Sequence, residues 1–170
     1  GGETGTTLHR AYVSNFGDKS VSVIDTAVDS VIKTISLSHG GDVAVLPALN
    51  RLYVTSGDTS VTVFDTLTYQ VLTTLTLPGR TGSIVADPAT NKVYVVEYGN
   101  DPGPLPLGTH VWVVDGSSYA LTKTLTLGTN LQDITVDSLN RRVYVTDFNF
   151  GLIKPFPLPP GLIFPIDADT

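Results

Sequence analysis

Short alternations of apolar and polar residues recur along the whole chain. Val21-Ser22-Val23-Ile24-Asp25, Val61-Thr62-Val63-Phe64-Asp65 and Val111-Trp112-Val113-Val114-Asp115 each set apolar side chains against polar ones and stop at an aspartate. Ile163-Phe164-Pro165-Ile166-Asp167 follows the same plan. Val31–Leu37, Val71–Leu77 and Leu121–Leu127 alternate Thr, Ser or Lys with Leu and Ile. A period of two residues predicts half-buried β-strands. The polar residues are mostly Thr, Ser and Asp, and the chain holds only two glutamates, Glu3 and Glu97. That balance favours strands over helices.

The strands fall into a repeat. Tyr12-Val13, Tyr53-Val54, Tyr94-Val95 and Tyr144-Val145 are spaced by 41, 41 and 50 residues. A four-stranded propeller blade takes roughly 40–50 residues. Each unit carries an A strand (Val43–Val45, Ile84–Ala86, Ile134–Val136) and a B strand holding the Tyr-Val pair. The C strand ending in Asp comes next, then the alternating D strand. Pro47–Asn50 and Asp87–Asn91 supply turn chemistry between A and B, and Gly17–Ser20 and Gly57–Ser60 supply it between B and C. The aspartates closing the C strands are predicted to cap turns.

Tyr-Val-Ser-Asn at 12–15, Tyr-Val-Thr at 53–55 and 144–146, and Val-x-Val-Ile-Asp-Thr at 21–26 resemble YVTN-type β-propeller repeats. The resemblance spans residues 9–170. It implies an all-β propeller, often seven-bladed, at the cell surface, in the periplasm or outside the cell, with varied ligands. It implies no particular chemistry, since fold does not fix function.

The predicted organisation is a tail at 1–8 in place of a first A strand, then units at 9–38, 39–79, 80–129 and 130–170, the first and last partial. This gives 14 strands in about 3.5–4 blades, an open arc or half of a larger propeller. Two bare blade faces of several hundred Å² would forfeit on the order of 10–20 kcal/mol of burial. The chain is therefore expected to be part of a longer propeller or to assemble with copies of itself, and not to work as a lone arc.

Charge narrows the partners. The formal net charge of −6, with basic residues scattered, argues against nucleic acid. No apolar run is long enough for a membrane helix, and residues 1–7 do not read as a signal peptide. Cysteine is absent, so disulfides and thiolate chemistry are out. The three histidines fall in different units without ligand spacing, and no hydrolase, metalloprotease or nucleotide motif is present. No catalytic residue, metal or cofactor is expected. Trp112 is expected to pack between blades.

Two features remain as candidates. His39, Asp42, Arg80, Ser83, Asn130 and Asp133 open the A strands of three successive units, where propellers gather ligands at the channel mouth. The B-to-C connections of the last two units are long, Pro-rich and apolar, and Pro104, Leu105, Leu107, Phe150, Ile153, Phe156 and Leu158 are candidate protein contacts on one face. The expected function is a non-catalytic extracytoplasmic binding or assembly module. It would be a homo-oligomer or partner-binding through its blade ends and loops. The rivals are a fragment of a lactonase- or quinoprotein-like propeller enzyme, testable by a metal scan, and a passive dock for a redox protein.

Overall fold

The computed structural model describes residues 9–99, 108–127, 130–147 and 162–167. Among them, fourteen strands form four antiparallel sheets, each a meander in chain order. Blade 1 holds β1 (Arg10–Asn15), β2 (Ser20–Asp25) and β3 (Ser30–Ser36). Blade 2 holds β4 (Val43–Leu46), β5 (Arg51–Thr55), β6 (Ser60–Asp65) and β7 (Val71–Thr76). Blade 3 holds β8 (Thr81–Asp87), β9 (Lys92–Glu97), β10 (His110–Asp115) and β11 (Leu121–Thr126). Blade 4 holds β12 (Leu131–Asp137), β13 (Arg142–Asp147) and β14 (Leu162–Asp167). Among the described residues the one helical element is a 3-10 turn at Pro47–Leu49.

The repeat read from the tyrosines is a repeat of register. Tyr12, Tyr53, Tyr94 and Tyr144 stand opposite Val23, Val63, Val113 and Pro165. In the C strands, two apolar residues in a row break the strict alternation at 23–24, 63–64 and 113–114. The ladder to the D strand carries a bulge at each of these pairs. Inner strands are sandwiched between neighbouring blades and bury both faces, which is why β9 and β10 are almost continuously apolar. The outer strands β3, β7 and β11 are largely exposed.

The core is therefore a series of joints between blades. Val21, Val23, Leu52 and Phe64 fill the first. Leu46, Tyr53, Val63, Val93 and Trp112 fill the second, where Trp112 is buried as expected. Tyr94, Val111, Val113, Val143 and Val145 fill the third. Burying a side chain of this size contributes about 1.5–3 kcal/mol, so these joints carry most of the fold.

The aspartates do cap turns. Asp25, Asp65 and Asp115 accept the N–H two residues on, at 2.9, 2.8 and 3.0 Å. Backbone N–H bonds lead the causes that hold the Asp65 and Asp115 carboxyls below their ordinary range. The A-to-B turns use the left-handed region at Asn50, Asn91 and Arg141, with φ of 53°, 54° and 56°.

Candidate functional site

The A strands meet at one end of the joints, and their first residues build a polar mouth. The Asp42 N–H donates to Thr55 Oγ1 at 2.9 Å, and the Asp133 N–H to Thr146 Oγ1 at 3.1 Å. These two threonines close the Tyr-Val-Thr motifs. Bulges at 81–84 and 131–134 take Ser83 and Asp133 out of the ladder. Bulges commonly re-aim side chains in this way. Ser83 Oγ lies 2.9 Å from Asp42 Oδ2 and 2.8 Å from Asp133 Oδ1, linking three blades.

Both carboxylates are already occupied. Asp42 accepts the Val43 N–H at 2.9 Å, and Asp133 accepts the Ile134 N–H at 2.8 Å. The trio therefore works as a staple across the blades. A hydroxyl has one proton to give, so Ser83 satisfies one carboxylate fully at any moment.

Beside the staple is a cavity of about 500 Å³ lined by all four blades. Its wall carries Asp42, Ser83, Arg80, Tyr98, Phe16 and Gln132. Arg80 donates Nε–H to the Gly57 carbonyl at 2.8 Å, and its guanidinium sits 5.3 Å from the centre of the Tyr98 ring. No carboxylate lies within ion-pair distance of Arg80 among the described residues. Phe16 and Tyr98 are 75% and 51% exposed, leaving two ring faces at the rim. A side chain at Gly41 would run into the Thr55 carbonyl oxygen, so the backbone forms the wall there.

Four of the six residues expected at the mouth come together: Asp42, Ser83 and Asp133 in the staple, and Arg80 on the cavity wall. His39 does not join them. Its Nδ1 is 3.3 Å from Ser38 Oγ, and it lines a separate groove between blades 1 and 2. Asn130 is buried, 2% exposed, and accepts the Gln132 side-chain amide at 2.7 Å. It stands behind Gln132 on the cavity wall. Pro104, Leu105, Leu107, Phe150, Ile153, Phe156 and Leu158 lie outside the described residues.

Sequence reasoning missed Phe16 and Tyr98. Each is the first residue after a B strand, and Phe148 holds that position in the fourth unit, so an aromatic recurs there in three of four repeats. It also missed Glu97. That carboxylate accepts the Thr109 and His110 N–H groups at 2.9 and 3.2 Å and lies 2.7 Å from His110 Nδ1, closing the neck of the first long insertion. Burial alone would raise the Glu97 pKa, but the bonds from Thr109 and His110 outweigh it and hold it below the ordinary value. Among the described residues no cluster of three metal-ligating side chains occurs.

Fold and mouth together define the class: an incomplete β-propeller-like fold of antiparallel blades. No protein-family model and no curated protein matches the chain. Among solved structures it is similar to "Kuenenia stuttgartiensis Hydrazine Synthase", with a TM-score of 0.77 and 16% identity over 99% of this chain and 50% of that one. This chain thus spans about half the length of that structure. At this identity the likeness shows the fold alone, and 939 solved chains match it, so the match names no activity.

Proposed function

We propose that this chain is a non-catalytic binding and assembly module that holds a small anionic ligand in the channel-mouth cavity. The observation that carries the reading is Arg80. Among the described residues it is the one cation on the wall of the cavity and has no carboxylate partner, and it stands beside two exposed rings. A guanidinium forks a carboxylate or phosphate well, and aromatic faces take a flat apolar body. The volume suits a small molecule. Asp42, Ser83 and Asp133 shape the seat. The Ser83 hydroxyl is engaged by the Asp42 and Asp133 carboxylates, which supports a shaping role in binding.

Benzoate tests this, with benzamide as its neutral counterpart. Calorimetric titration of the purified chain should show saturable benzoate binding, weak or absent heat with benzamide, and loss of binding in Arg80→Ala, a variant that still unfolds cooperatively with a modestly lower thermal midpoint because it loses the bond to Gly57. Equal heats for the two probes, or for wild type and variant, would remove the seat.

The assembly half of the proposal rests on the open blade ends, and action outside the cytoplasm rests on the resemblance to YVTN-type repeats. A second reading, a propeller-enzyme portion or a dock for a redox protein, draws on the enzyme named in the hydrazine synthase match. It predicts a stoichiometric metal or redox cofactor in the natively purified protein.

A further inference from the structure

Two of the joints between blades share one polar latch. In the second joint, Arg51 Nη1 donates to the carbonyls of Gly116 and Ser117 at 2.5 and 2.9 Å. Its guanidinium sits 4.6 Å from the centre of the Tyr119 ring, and Tyr53 donates its hydroxyl to the Gly116 carbonyl at 2.8 Å. In the first joint, Arg10 Nη1 donates to the Thr66 carbonyl at 2.5 Å and sits 5.4 Å from the Tyr69 ring centre. The giving half is Arg-x-Tyr at the start of a B strand. The receiving half is the C-to-D turn of the next blade, with a tyrosine in the left-handed region at φ of 61° or 66°.

Blade 1 carries a receiver that none of the described blades fills. Its turn is built like the other two. The Thr26 N–H bonds to the His9 carbonyl at 3.0 Å, as Thr66 N–H does to Asn50 at 3.0 Å and Gly116 N–H to Asn91 at 2.8 Å. The Thr26 carbonyl is thereby set in the frame of the two that are gripped. Val28 stands where the Thr68 and Ser118 hydroxyls bond the turn aspartate, and a second difference bears on the latch. Asp29 replaces the tyrosine, in the same backbone conformation at φ 50°, so a carboxylate stands where a ring meets arginine elsewhere.

Blade 4 carries the matching giver. Arg142 and Tyr144 hold the β13 register of Arg51 and Tyr53, with Arg142 opposite Asp167 as Arg51 is opposite Asp65. Arg142 is exposed and Tyr144 half-buried. The apolar part of the joint points the same way. Val13 is 44% exposed, whereas its equivalents Val54, Val95 and Val145 are 3%, 0% and 0% exposed inside joints.

We propose that blade 4 of one copy docks on blade 1 of a second copy through this latch, with Arg142 on the Thr26 carbonyl and the Asp29 carboxylate, Tyr144 on the same carbonyl, and Val13 covered. Two copies make the joint twice and close a ring. A second copy is the occupant because its arginine meets the one receiver, among the described residues, that offers a negative charge in place of a ring. The proposal rests on the assembly half of the reading above and is independent of the ligand seat.

Sedimentation of the full 170-residue chain at micromolar concentration tests it. The expected mass is twice the 18.0 kDa of one chain. Asp29→Arg and Arg142→Asp should each weaken pairing by roughly a hundredfold, since each faces like charge across the joint. An equimolar mixture of the two variants, or both changes in one chain, should restore pairing by exchanging the charges. Far-UV dichroism confirms that each variant keeps its strands. A pair that ignores both reversals leaves assembly standing and overturns this joint. A folded wild type at the single-chain mass overturns both. A reversal that weakens pairing without rescue in the mixture or in the doubly changed chain also overturns the joint.

Discussion

Tyr53 donates its hydroxyl to the backbone carbonyl of Gly116 across 2.8 Å, from inside one blade to the turn of the next. Tyr53 has no exposed surface, so this bond lies wholly within the joint. Tyr53→Phe should cost about 1 kcal/mol, the ordinary net worth of a buried hydrogen bond, because Arg51 still satisfies the carbonyl. Tyr53→Ala should cost roughly 3–5 kcal/mol, since it also opens a cavity. Urea unfolding of both variants measures the two values, and a Phe variant as stable as wild type would show that the hydroxyl adds nothing.

Burial pushes the Tyr53 pKa up to about 12, against the opposing pull of Arg51. The folded value exceeds the unfolded one, so the neutral hydroxyl favours the fold. That stabilisation is complete below the unfolded pKa near 10 and is lost as pH rises toward 12. The loss is on the order of 2 kcal/mol. Thermal melts between pH 9 and 12 should fall more steeply for wild type than for Tyr53→Phe.

A Cβ at Gly116 would press on Leu46 and come 2.7 Å from the Asn91 carbonyl oxygen. Gly116→Ala should cost about 1–3 kcal/mol through overpacking. Gly17 has nothing near its missing Cβ, and Gly17→Ala should stay within about 0.5 kcal/mol of wild type. Comparable losses in the two variants would show that the joint does not need the glycine.

Glu97 contributes on the acid side, alongside the turn aspartates Asp65 and Asp115. Its folded pKa is depressed, so its contribution is present above the unfolded pKa and disappears as pH falls through the folded one. Glu97→Gln should flatten the acid limb of the stability profile and cost about 1–2 kcal/mol at pH 7. Hydrogen exchange at the Thr109 and His110 amides should speed up in the variant, and unchanged rates there would show that the carboxylate does not hold the neck of the insertion.

The sequence disclosed the blades because their determinants are local. The tyrosine spacing, the period of two and the aspartate turns are all written within a few residues of each other. Ser83 with Asp42 and Asp133 was also legible, since register alone places the openings of successive A strands together. The rest depends on contacts across the repeat. Arg51 reads as a solvated strand residue until the Gly116 and Ser117 carbonyls of the next blade arrive. His39 shares the register of Arg80 yet faces the neighbouring groove. The sequence shows Phe16 and Tyr98 following B strands, but only the bulged openings of the A strands create the cavity they border.

The receivers of the latch are main-chain oxygens, present whatever residue occupies the turn. Thr66 carries a branched side chain and Gly116 none, yet each presents the same acceptor to an incoming arginine. The giving strand therefore supplies the gripping side chains, while the turn supplies a shape, and at Gly116 that shape leaves no room for a side chain.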